Sequence, residues 1–126
     1  MTDMFVKPVL GHAEGSKLTT VNTYVPVPVT GGDAAGVFGI RGLKSKTLVL
    51  TAATNDLKFQ IEFSPDGTYW STRLTDIVVA AGAWVLREDI GNTEIRGYWR
   101  HARISVKPNV NDTHGTGTFW FEAGTL

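Results

Sequence analysis

Seven residues alternate without a break from Leu57 to Phe63: Leu57, Phe59, Ile61 and Phe63 take one side, Lys58, Gln60 and Glu62 the other. A period of two puts all four apolar side chains on one face of a pleated chain, so this stretch is a half-buried strand and not a helix. Ser64-Pro-Asp-Gly67 follows as a turn: proline presets φ, aspartate bonds to nearby backbone, and glycine accepts a positive φ. Trp70 comes just beyond it, where the returning chain can lay a large ring on the sheet. The class this implies is antiparallel β, and the segment itself offers no catalytic group.

Further strands are expected over 47–51, 72–80, 83–88, 97–107 and 118–122, with Ala81-Gly82 as a turn and Pro108 ending the long 97–107 run. Residues 36–42 are apolar but broken by Gly36, Gly39 and Gly42, so they read as a bent strand or a loop. About seven or eight short strands between turn signals predict an all-β, antiparallel β-sandwich, jelly-roll or discoidin-like, over residues 36–126. The chain of 126 residues fits a single core without staples.

Residues 1–35 differ. Val25-Pro-Val-Pro-Val29 favours extended backbone and cannot serve a central strand, so the region is either an extended N-terminal arm or an edge segment. An arm of this length reaches up to roughly 100 Å, against a radius of gyration of about 12 Å for the rest. Phe5, Tyr24, Val25 and Val27 are its bulky groups and the expected partner-binding anchors of an arm.

Composition narrows the chemistry. There is no cysteine, which removes disulfides, thiolate nucleophiles and thiolate metal sites. Lys+Arg and Asp+Glu are both 12, so no net field steers the chain to nucleic acid or an anionic membrane. The opening Met-Thr-Asp-Met-Phe-Val-Lys-Pro has neither a basic n-region nor a long apolar run, so neither a signal peptide nor a membrane span is expected.

The remaining motifs favour structure over catalysis. His12, His101 and His114 are far apart and share no ligand spacing, so no metal site is expected. The serines lack a Gly-x-Ser-x-Gly elbow, and nothing forces Glu62, Asp66, Asp76, Glu88 and Asp89 into a pair. No catalytic residue and no cofactor is assigned, and the chain reads as a non-enzyme. Arg96, Arg100, Arg103 and Lys107 look basic together, but alternation splits Arg100 from Arg103, and a structural ion pair with Asp66 or Glu62 is favoured over nucleic-acid contact. Trp70, Trp84, Trp99 and Trp120 fall in different strands, and an exposed one would suit a protein contact or a sugar.

Ser64-Pro-Asp-Gly-Thr-Tyr-Trp70 followed by Arg100-His-Ala-Arg-Ile104 is similar to a pattern in discoidin-like (galactose-binding-like) sandwiches, where Ser-x-Asp-Gly-x-x-Trp precedes a strand carrying Arg-x-x-Arg-Ile. That resemblance marks Asp66, Gly67, Trp70, Arg100 and Arg103 as structural residues. The Gly/Thr/Val-rich, cysteine-free chain also resembles the virion β-sandwiches of tailed bacteriophages, the capsid decoration (cement) and tail-associated proteins. That likeness implies a virion location on the capsid surface after synthesis in the host cytoplasm. It also implies the major capsid protein as partner, together with further copies of the chain in trimers, and no nucleic acid or membrane. A tail or baseplate sandwich is the first alternative. A carbohydrate-binding module, with Asp66, Asn109 or Asn111 holding hydroxyls beside an exposed ring, is the second.

Overall fold

The computed structural model describes residues 6–14, 24–29, 36–40, 45–88, 99–109 and 115–124. Among these, nine strands run β1 (Val6–Glu14), β2 (Val25–Pro26), β3 (Phe38–Gly39), β4 (Ser45–Thr54), β5 (Leu57–Ser64), β6 (Ser71–Val79), β7 (Trp84–Glu88), β8 (His101–Pro108) and β9 (Thr116–Gly124). They form two antiparallel sheets. One is ordered β1-β9-β4-β7 and the other β2-β8-β5-β6, with β3 also pairing to β8. The all-β, antiparallel two-sheet class read from the sequence is the class observed.

The inner faces meet in one core. Alternation delivers Leu57, Phe59, Ile61 and Phe63 from β5, Leu48 and Leu50 from β4, Ile104 and Val106 from β8, and Phe119 and Phe121 from β9. Rings link the two sheets. Phe38 stacks on Phe119 with centroids 6.0 Å apart and meets Phe121 edge-on at 5.3 Å, and Phe63 meets Phe121 edge-on at 6.4 Å. Trp99 stacks on Phe63 at 5.7 Å, so this ring joins the core before the alternation of β8 begins. Lys46 is buried to 1 % exposure at the same end, its ammonium 5.8 Å from the Phe63 centroid.

Only β5 and β6, among consecutive long strands, are hairpin partners. The Ala81-Gly82 turn does not fold β7 back on β6. It carries the chain across the sandwich, with the Ala83 N–H donating to the Ala80 carbonyl and the Gly82 N–H to the Ala52 carbonyl of β4. The β4-to-β5 crossing is equally abrupt: Asn55 takes a left-handed φ of 59°, and Asp56 Oδ1 accepts from the Ala81 N–H. The two sheet changes are therefore tied to each other.

Residues 6–14 and 24–29 pair into the two sheets. Val6–Glu14 pair with β9 in unbroken register, from Val6 opposite Gly124 to Glu14 opposite Thr116. Val25 and Pro26 pair with Val106 and Ser105, and the Val27 N–H donates to the Ile104 carbonyl. Prolines confine this segment to a sheet edge, as their missing donors require. β1 and β2 stand at the edges of their sheets. Val27, expected as an arm anchor, is 1 % exposed and belongs to the core with Val29. Phe5 lies outside the described residues.

Gly117 marks where β9 passes the crossing. A Cβ there would sit 2.8 Å from Leu57 Cδ1 and closer still to the Thr51 carbonyl oxygen. Gly117→Ala is expected to destabilise the fold by about 1–3 kcal/mol through overpacking against backbone that cannot yield, read as a lower urea midpoint at unchanged slope.

Candidate interaction surface

The outer face of the β1-β9-β4-β7 sheet is built from three stretches far apart in sequence. Register sets Leu86, Val49 and Trp120 side by side, then Trp84, Thr51 and Thr118, and on the other side Glu88, Thr47 and Glu122. Trp84 is 65 % exposed, Trp120 42 % and Leu86 39 %. The two tryptophans stand on the strands flanking β4, about 10 Å apart across the sheet. Threonine fills the rest: Thr51 and Thr118 share a hydroxyl hydrogen bond of 2.7 Å, and Thr54 and Thr116 one of 2.8 Å. Register places Glu88 and Glu122 and, on β1, Glu14 and His12 on this face, with no lysine or arginine among its described residues.

The opposite outer face, on β8-β5-β6, is polar and closed on itself. Arg103 lies between Glu62, which its Nε meets at 2.8 Å, and the Trp70 ring, 4.1 Å from its guanidinium carbon. The ion pair expected for an arginine of this strand is thus formed with Glu62. Asp66 is committed to the turn: its Oδ1 accepts from the Thr68 and Tyr69 N–H groups, while Ser64 Oγ accepts from those of Asp66 and Gly67. Those backbone donors, Tyr69 first, hold the Asp66 carboxyl below its ordinary range. Gly67 has φ of 84°, and the His101 ring packs 3.7 Å from where its Cβ would stand. Arg100 is exposed, and its backbone bonds the end of β5 through Ser64 and β3 through Ile40.

Tyr24 ties this face together. A bulge opposite Gln60 leaves Asp76 at φ of 54°, and the Tyr24 hydroxyl donates to Asp76 Oδ1 at 2.7 Å while accepting from the Asp76 N–H at 2.9 Å. Lys107 caps the tyrosine ring at 4.5 Å and stands 4.0 Å from Asp76. Burial, and then the bond to Asp76, push the Tyr24 hydroxyl up to about 12, and the Tyr24 bond holds Asp76 down. Of the four residues expected as arm anchors, Tyr24 is therefore an internal strap, and Val25 stays at the exposed edge.

Other sequence candidates do not gather. Asp66 and Asn109 flank opposite ends of β5, about 25 Å apart, while Asn111, Arg96, Tyr98, Asp89 and His114 lie outside the described residues. Among the described residues no three His, Cys, Asp or Glu side chains come together around a metal position. The pairing of Trp84 with Trp120 was not foreseen from sequence, because both lie in apolar runs that carry no face label.

No family model matches the chain, and no characterised protein sequence matches it. It is similar to the solved structure of Bacillus endospore appendages, described as a novel family of disulfide-linked pili, at 12 % identity over 98 % of this chain and 89 % of that chain, with a TM-score of 0.48. It is also similar to the structure of infectious bursal disease virus, Gx strain, at 9 % identity over 98 % of this chain and 32 % of that one, with a TM-score of 0.47. The Gt strain of the same virus gives 11 % identity over 95 % and 33 %, with a TM-score of 0.42. The chain thus spans about a third of the length of the viral chains.

Two outcomes follow from the faces. The Tyr24 strap has a folded pKa above its unfolded value of 10.0, so its contribution is complete below pH 10 and fades as pH rises through about 12. Thermal melts between pH 8 and 12 should show that loss in the wild type and a smaller one in Tyr24→Phe. Trp84→Ala should change unfolding free energy by no more than about 0.5 kcal/mol, as for an exposed side chain, whereas Leu50→Ala should cost about 2–5 kcal/mol, both by urea titration.

Proposed function

We propose that this protein is a non-enzymatic structural component of a virion, a decoration protein seated on the outside of a phage head. It stabilises the shell by burying its apolar sheet face within the assembly. The observation that supports this reading is the outer face of β9-β4-β7, where Trp84, Leu86, Val49 and Trp120 adjoin although the core is already filled from the inner faces. Contiguous apolar surface with aromatic anchors and a polar rim is the anatomy of a protein contact. A small domain repeated over a shell gains avidity from many modest contacts. The carboxylates of the other face support the same view, since Glu62, Asp66 and Asp76 are each engaged in holding the fold.

Quantitative mass spectrometry of purified particles from the source tests the reading. Copy numbers comparable to the major coat protein are expected, and a handful of copies would move the protein to the tail or baseplate. Absence from particles would overturn the virion role. A saturable shift of tryptophan fluorescence on titration with sugars would then transfer Trp84 and Trp120 to carbohydrate recognition.

A further inference from the structure

The two outer faces carry opposite charge. The tryptophan face holds Glu88 and Glu122 on either side of Thr47 and, on β1, Glu14 opposite Thr116 and His12 opposite Thr118, with no lysine or arginine among its described residues. The strapped face holds Lys58, Arg103 and Lys107 against Glu62 and Asp76, leaving one positive charge in excess. Two of its cations lie at one end: Lys58 and Lys107 are direct cross-strand neighbours there, with Asp76 4.0 Å from Lys107, and exposed Val78 lies beside Lys58 on β6. From this complementarity we infer that the tryptophan face of one copy is covered by the Lys58–Val78–Lys107 face of the next, in a head-to-tail stack of sandwiches. This deepens the assembly role proposed above by naming the occupant of the same surface.

The chemistry of the two patches fits. Sheets stack about 10 Å apart, a gap that lysine stems and a valine can fill against indole rings. The Lys58 ammonium laid over Trp84 or Trp120 would be attracted by the ring face and would lie within reach of Glu88 or Glu122, while Lys107 stays over Tyr24. The symmetric alternative, tryptophan face on tryptophan face, would bring Glu88 and Glu122 of both copies together with no lysine or arginine among the described residues to answer them. Head-to-tail contact is heterologous, so copies add in a ring or an open row instead of closing as a dimer. The face is four strands wide, about 19 Å, and offers less than the roughly 800 Å² per partner of a standard interface. Association of the isolated protein is therefore weak and concentration-dependent, and it strengthens where copies are held side by side.

Sedimentation velocity of the full chain from micromolar to millimolar concentration tests this with two variants. Trp84→Ala/Glu88→Lys spoils one face, and Lys58→Glu/Val78→Glu spoils the other. The wild type should grow beyond a dimer with concentration and shrink with added salt, while each variant alone should associate about tenfold more weakly or not at all. Mixed, the variants should form a one-to-one heterodimer and stop there, because each still offers one intact face. That recovery also shows that both variants are folded. Wild type that stays monomeric to millimolar concentration overturns the inference, as does a Lys58→Glu/Val78→Glu variant that associates like the wild type. Particle incorporation separates this from the assembly role. Loss of incorporation in the tryptophan variant alone assigns the face to the coat protein and overturns the stack, whereas stacking by a protein absent from particles overturns the virion role and keeps the stack.

Discussion

The chain changes sheet after nearly every strand, and that constraint shapes what the surface can display. Leaving β4 for β5 demands a turn of about two residues that also reverses which sheet the backbone serves. The protein solves it with Asn55 in the left-handed region, Asp56 accepting from Ala81, and Gly117 passing where no Cβ fits. Each crossing sends neighbouring sequence to opposite sides of the core. Conversely, each outer face is assembled from pieces of chain tens of residues apart. Trp84 and Trp120 become companions only because β7 and β9 both pair with β4.

This explains what the sequence discloses and what it conceals. Strict alternation from Leu57 to Phe63 names its own buried face, and all four apolar residues are fully buried. The Ser64–Trp70 turn is likewise local, since its hydrogen bonds join residues two or three apart. Trp84-Val-Leu86 and Phe119-Trp-Phe121 are unbroken apolar runs, and only their register with β4 decides that the tryptophans face out. The proline-rich segment misleads for a related reason. Proline forbids a central strand but not an edge, and an edge one bond from Ile104 is enough to bury Val27. The Asp76 bulge and its tyrosine lie 52 positions apart, a spacing that no local pattern encodes.

The two outer faces use side chains in contrasting ways. On the strapped face nearly every long polar group reaches a partner on the same molecule: Tyr24 to Asp76, Lys107 over Tyr24, Arg103 between Glu62 and Trp70, Thr75 to Gln60. Such bonds individually add little in water, but together they fix the positions of Lys58 and Lys107 by holding the strands beneath them. On the tryptophan face the hydroxyls bond to one another in threonine pairs, leaving the indoles and Leu86 without an internal apolar partner above them. One face is finished within the chain, and the other presents surface that water solvates poorly.

That asymmetry gives direction to any assembly. Apolar area drives association without orientation, because burial depends on how much surface leaves water and not on which way it lies. Orientation has to come from charge and shape at the rim. Here Glu88 and Glu122 sit at the Thr47 end of the tryptophan face and Glu14 toward its Thr54 end, while Lys58 and Lys107 are neighbours at the Leu57 end of the opposite sheet. A stack that brings the two together is polar, tryptophan face to lysine face. The strap beneath the lysines completes one face within the chain and keeps Lys107 over Tyr24 and beside Asp76, so the charge that face can offer outward is that of Lys58.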